Sequence, residues 1–140
     1  MKILLVGFGN PYRRDDGLGI KLLDLINYNV EKMKVQELSF DMAEILKDYD
    51  MVIFVDASLE GDEISFRKIQ EESTFSPLTH HTPCEELLSW TRVLYGKTPE
   101  FYLLSIRGYD FDFGEELSDK AKENLEKALE FIKGFLESIS

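Results

Sequence analysis

The chain is poor in several residues that usually carry chemistry. Among its 140 residues there are one cysteine, one tryptophan, two histidines and four prolines. A single cysteine, Cys84, excludes an internal disulfide and a thiolate-rich zinc site, and it suits a reducing compartment. Long hydrophobic runs are missing as well: no apolar stretch approaches the roughly 20 residues that cross a bilayer. Residues 1–9 hold only a short apolar run with one lysine and no small-residue cleavage site. They read as a first strand rather than a secretory signal, and a cytoplasmic location is expected. Basic charge is also scarce. Lys and Arg number 16 against 27 Asp and Glu, a formal net charge of −11. Such a surface repels phosphate backbones and anionic membranes, so neither nucleic acid nor membrane insertion is expected. The charge favours solubility, and it would attract a basic surface or a divalent cation.

What is present is enough apolar residue, 44%, to build one sizeable core. Residues 1–140 are therefore read as a single domain. Residues 2–7 form an apolar run closed by glycine, which suits a strand buried on both faces. Residues 15–29 then place Leu18, Leu22, Leu25 and Ile26 at helical spacing. The pattern continues with a strand over 33–38, a short helix over 42–47 and an apolar strand over 51–55 ending at Asp56. A weaker edge strand is expected over 64–69, a helix over 83–94 and a last strand over 101–106. Ser118 is placed to cap a C-terminal helix carrying Ala121, Leu125, Ala128, Ile132, Phe135 and Ile139 on one side. Glu123 and Lys127 would pair on its outer face. The expected fold is α/β: a twisted, mostly parallel sheet of about five strands with helices on both faces.

In such sheets ligands gather beyond the carboxyl ends of the strands. The first strand runs into Gly7-Phe8-Gly9-Asn10-Pro11-Tyr12-Arg13-Arg14-Asp15-Asp16-Gly17, and another ends at Asp56. The two glycines begin a dinucleotide fingerprint, but Tyr12 occupies the third glycine position and two acids at the helix start would repel phosphate. Asp15 and Asp16 either cap the helix or belong to a site. Asp56, ending a buried strand, must be hydrogen-bonded, paired or metal-bound. His80 and His81 lie before a helix and are either exposed or metal ligands. Cys84, one turn into that helix, reads as a packing residue. No nucleophile elbow exists, and Ser58, Thr79 and Ser105 lack a base-and-orienter pattern, so the catalytic group is not legible.

Taken together, these segments resemble the nickel-iron hydrogenase maturation endopeptidases. The likeness rests on Gly-x-Gly-Asn-x-x-x-x-Asp-Asp-Gly-x-Gly over residues 7–19, Val55-Asp56-Ala57, Thr79-His80 with Pro83 and Leu87-Leu88, and Phe113-Gly114 with Leu117-Ser118. The resemblance implies a single α/β domain that removes a C-terminal extension from a hydrogenase large-subunit precursor once nickel is in place. It implies metal contact by Asp16, Asp56 and His80, with His81 the alternative register. The nickel would arrive with the substrate, and another divalent metal could stand in for it. Relatives carry a glycine-rich turn after the second strand, where this chain has Ser39-Phe40-Asp41-Met42-Ala43-Glu44. That loop is linked in the family to substrate recognition, so Asp41 is a candidate substrate contact. Two other readings compete: a nickel-sensing assembly chaperone that docks without cutting, and a peptidyl-tRNA hydrolase, which Gly9-Asn10-Pro11 also resembles. The latter needs an Arg-His-Asn segment nearby, and this chain has no histidine before His80.

Overall fold

The computed structural model describes residues 1–70 and 82–140. In chain order the elements are β1 (Ile3–Phe8), a 3-10 turn (Arg14–Gly17), α1 (Leu18–Leu25), β2 (Glu31–Val35), a second 3-10 turn (Phe40–Met42) and α2 (Ala43–Leu46). There follow β3 (Met51–Ser58), β4 (Ile64–Ile69), α3 (Pro83–Tyr95), β5 (Glu100–Arg107) and α4 (Asp119–Ile139). The five strands form one sheet in the order β2-β1-β3-β5-β4, all parallel except β4, which runs antiparallel to β5. Among the described residues no helix is long and apolar enough to cross a membrane.

Strand alternation sorts the core into two layers. Leu5, Ile53 and Val55 face α1 and α4, where they meet Leu22, Ala128 and Ile132. Leu4, Val6, Val52 and Phe54 face α2 and α3, where they meet Leu46, Cys84 and Leu87. Phe54 is fully buried, with Phe101 at 5.1 Å and Phe8 at 6.5 Å in edge-on packing. Its burial contributes about 1.5–3 kcal/mol, and each ring pair adds about 0.5–1.5 kcal/mol. The same alternation turns the residue after Val55, Asp56, towards the α3 layer.

Several sequence expectations shift. The first helix is shorter than residues 15–29: it begins with a 3-10 turn and ends at Leu25, after which Ile26 is extended. Its buried face is Leu18, Leu22, Leu23 and Ile26, whereas Leu25 is 51% exposed. The second strand lies at Glu31–Val35, ahead of the expected 33–38, because its register on β1 pairs Leu4 with Glu31 and Phe8 with Val35. On α4, Leu136 joins the core and Phe135 is only partly buried. Lys127 reaches across to Glu63 at the start of β4 instead of pairing with Glu123. Ser118 caps α4 as expected, accepting from the Ala121 amide at 3.4 Å, and β4 is the expected edge strand.

Candidate functional site

The chain order explains where a site forms. From β1 the chain passes to β2 on one side and returns to β3 on the other, so β1 and β3 flank the point where the winding reverses. Loops leaving their carboxyl ends diverge there and leave a crevice. The loop after β1 brings Asp16 to this rim, and β3 delivers Asp56.

Two glycines hold that geometry. Gly19, in the first turn of α1, lies so close to β3 that a Cβ there would sit 2.2 Å from the Val55 carbonyl oxygen. Only glycine lets the helix start press against the strand one residue before Asp56. Gly9 turns the chain with φ +136°, and a Cβ at that position would meet the Asp16 carbonyl oxygen at 2.1 Å. The Asp16 carboxylate then accepts the Asn10 amide at 2.8 Å, which fixes it inside the loop. The Gly-x-Gly-Asn and Asp-Asp-Gly-x-Gly halves of the motif are thus two faces of one contact.

Asp56 is half-buried and accepts the Ala57 amide at 2.8 Å. Burial pushes its carboxyl up to about 7; the Ala57 bond opposes that shift, and the Asp16 charge adds to it. Neither acid makes an ion pair with a described residue. Two adjoining carboxylates without a cation are an unbalanced arrangement, and a divalent ion with open coordination positions would relieve both desolvation and repulsion. The donor set is therefore suited to a cation.

The first turn of α3 adjoins this pair. Cys84 is 2% exposed, and burial followed by the nearby Asp56 charge pushes its thiol up to about 12. A thiol held protonated is no nucleophile, and Cys84 acts as the packing residue that its position suggested. Cys84→Ala should lose at most about 2 kcal/mol in denaturant unfolding and leave the chemistry of the acid pair intact. Loss of activity in a folded Cys84→Ala protein would return the thiol to the reaction. Thr82 caps α3 in a reciprocal box, its hydroxyl accepting from the Glu85 amide at 3.2 Å while its own amide donates to the Glu85 carboxylate at 3.3 Å.

The remaining candidates fall in different places. His80 and His81, with Thr79, lie outside the described residues. Among the described residues no three His, Cys, Asp or Glu side chains gather around a common point. Asp41 is exposed on the 3-10 turn after β2 and accepts the Ser39 hydroxyl. Asp15 is a correction: it does not cap α1, whose N-cap is Gly17 without a side-chain bond. It is fully buried and accepts the amides of Tyr109, Asp110 and Ser118 at 2.7, 2.9 and 2.8 Å, plus the Ser118 hydroxyl at 2.6 Å. Burial would raise its carboxyl, but the Ser118 hydroxyl and the three amides together hold it below the ordinary value. Sequence reasoning missed this role, because the partners lie more than 90 positions away. Arg14 reinforces the clasp through Asp110 and the Glu116 carbonyl, and it does so in a left-handed conformation with φ 44°.

No protein-family model matches the chain, and no curated protein sequence matches it significantly. Solved structures do share its fold. The nickel-iron hydrogenase maturation protease HybD from Thermococcus kodakarensis superposes with a TM-score of 0.75 at 22% identity, covering 96% of this chain and 99% of that one. The hydrogenase maturating endopeptidase HybD from E. coli gives 0.78 at 19% identity, covering 100% and 94%. An uncharacterized protein from Wolinella succinogenes gives 0.71 at 26% identity, with both chains covered completely. The chain thus has the fold in which known hydrogenase maturation proteases are built, over at least 94% of its length and theirs in both named cases.

Proposed function

We propose that this protein is an endopeptidase that removes the C-terminal extension of a nickel-iron hydrogenase large-subunit precursor after nickel insertion. The observation that carries the reading is the pair Asp16 and Asp56, brought from separate loops to the crevice between β1 and β3 and left without a cationic partner among the described residues. The shared fold of known maturation proteases supports the same reading.

In this mechanism nickel is the substrate's cargo. It would arrive already held by thiolates of the precursor, with open coordination positions for Asp16 and Asp56 and for His80, the ligand that the family resemblance implies outside the described residues. Carboxylate oxygens and an imidazole nitrogen suit such an ion, and their engagement registers the scissile segment against the rim. An empty precursor offers no ion to offset the acid pair, so it docks poorly and stays uncut. Cleavage is thereby conditional on metal loading. The cut itself does not use the only thiol, which is buried and protonated.

The test is the intact mass of the precursor after incubation with the protein. Nickel-loaded precursor should lose its extension, whereas nickel-free precursor should not, even when nickel or zinc is added to the protease beforehand. Equal trimming of both precursors would overturn the nickel dependence. Binding of the loaded precursor without any mass change would identify a chaperone instead.

A further inference from the structure

The loop after β2 and α3 form a groove that the nickel reading does not use. Leu38, Phe40, Pro83, Glu86, Leu87 and Trp90 enclose about 260 Å³ between the loop after β2 and the outer side of α3. Phe40 and Trp90 tilt against each other with ring centroids 5.8 Å apart, although they remain 63% and 46% exposed. Two large rings in contact and left in water at the mouth of a groove form an apolar patch suited to binding. Glu86 stands exposed at the edge and makes no ion pair with a described residue.

The groove and the crevice share α3. Pro83, Glu86 and Leu87 flank Cys84, whose thiol feels the Asp56 charge. Leu38 follows β2, whose end carbonyls at Val35 and Gln36 accept the Gly9 amide at 3.2 and 3.1 Å. Both places thus adjoin α3 and the β1–β2 end of the sheet, so one extended polypeptide is the occupant that would serve both. A second copy of the chain is a poor occupant, since each copy carries −11 and would bring acid against acid.

We propose that this groove receives a lysine or arginine side chain of the polypeptide that is cut, which makes it a specificity pocket. The inference rests on the endopeptidase reading. The aliphatic stem of the incoming side chain covers Leu38, Pro83 and Leu87, and its cationic head lies between the faces of Phe40 and Trp90 and the Glu86 carboxylate. Such a pocket rejects acidic residues at that position and prefers a cation over an uncharged side chain of equal length.

Trp90 is the sole tryptophan, so its emission reports this groove directly. The probes are acetyl-Gly-Arg-Gly-amide and acetyl-Gly-norleucine-Gly-amide titrated against the full chain. The arginine peptide should shift Trp90 emission saturably and bind about tenfold more tightly than the norleucine peptide. Glu86→Gln should weaken the arginine peptide by about threefold to tenfold and leave the norleucine peptide unchanged, a modest effect because Glu86 is exposed. Phe40→Ala should weaken both. Equal binding of the two peptides, no saturable response, or an arginine affinity indifferent to Glu86→Gln would each overturn the pocket. Precursor trimming measured on the same preparations separates the two ideas. Trimming by the wild-type protein without arginine preference sinks the pocket alone. An arginine-selective, Glu86-dependent response without trimming sinks the endopeptidase reading and leaves a pocket for basic side chains.

Discussion

Replacement of Asp56 by Asn is expected to stop trimming of the nickel-loaded precursor while making the free protein more stable at alkaline pH. The two effects share one cause. Burial raises the Asp56 carboxyl from 3.8 to about 7, so the folded state retains a proton that the unfolded chain releases. A raised acid stabilises the fold fully below its unfolded value, and that contribution is lost as pH rises through about 7. Every tenfold gain in proton affinity on folding corresponds to about 1.4 kcal/mol, so at pH above about 8 the buried charge costs roughly 2–4 kcal/mol after local relaxation. Asn keeps an oxygen for the Ala57 amide and removes the charge. Denaturant midpoints should favour Asp56→Asn by that amount at high pH, and the gain should vanish as pH falls towards about 4. The lost ligand charge should reduce processing by more than about a hundredfold. Equal midpoints at high pH would show that Asp56 bears its charge without penalty, and undiminished trimming would remove it from the site.

The opposite sign is expected at its neighbour in the motif. Asp15→Ala should destabilise the protein by about 3–5 kcal/mol, because three amides and one hydroxyl would lose a buried acceptor together. The segment 108–118 hangs on this carboxylate, on the Arg14–Asp110 pair and on the bond from the Arg13 side chain to the Phe111 carbonyl at 3.2 Å. Hydrogen exchange should rise first at Tyr109, Asp110 and Ser118. The carboxyl is held below its ordinary value, so its contribution is present above about pH 4 and is lost as pH falls through the depressed folded value. Asp15→Asn should therefore be most damaging near neutrality and least at acid pH. A loss under about 1 kcal/mol at neutral pH would mean that the clasp holds without Asp15.

The two adjacent acids show how far local sequence carries. Both read as potential helix caps, and local pattern cannot separate them. The structure assigns Asp15 to a fully buried clasp and Asp16 to a half-buried position on the rim. That decision depends on residues 109–118, whose contact with Asp15 no local pattern shows. Asp41 and the Phe40–Trp90 contact are a similar case, since the groove exists only when the loop after β2 meets α3.

What the sequence determined by itself is the strand and helix order, the buried character of β3, the edge position of β4, the Ser118 cap and the crevice-facing loops. Those features follow from runs, periodicity and punctuation within a few residues, which local chain physics enforces. Only the tertiary structure decided that the winding reverses between β1 and β3, that Gly19 packs on Val55, and that Asp56 is raised beside Asp16. Desolvation and charge coupling depend on which distant atoms exclude water and which charges adjoin. No local pattern encodes that, so the chemistry of the acid pair belongs to the fold.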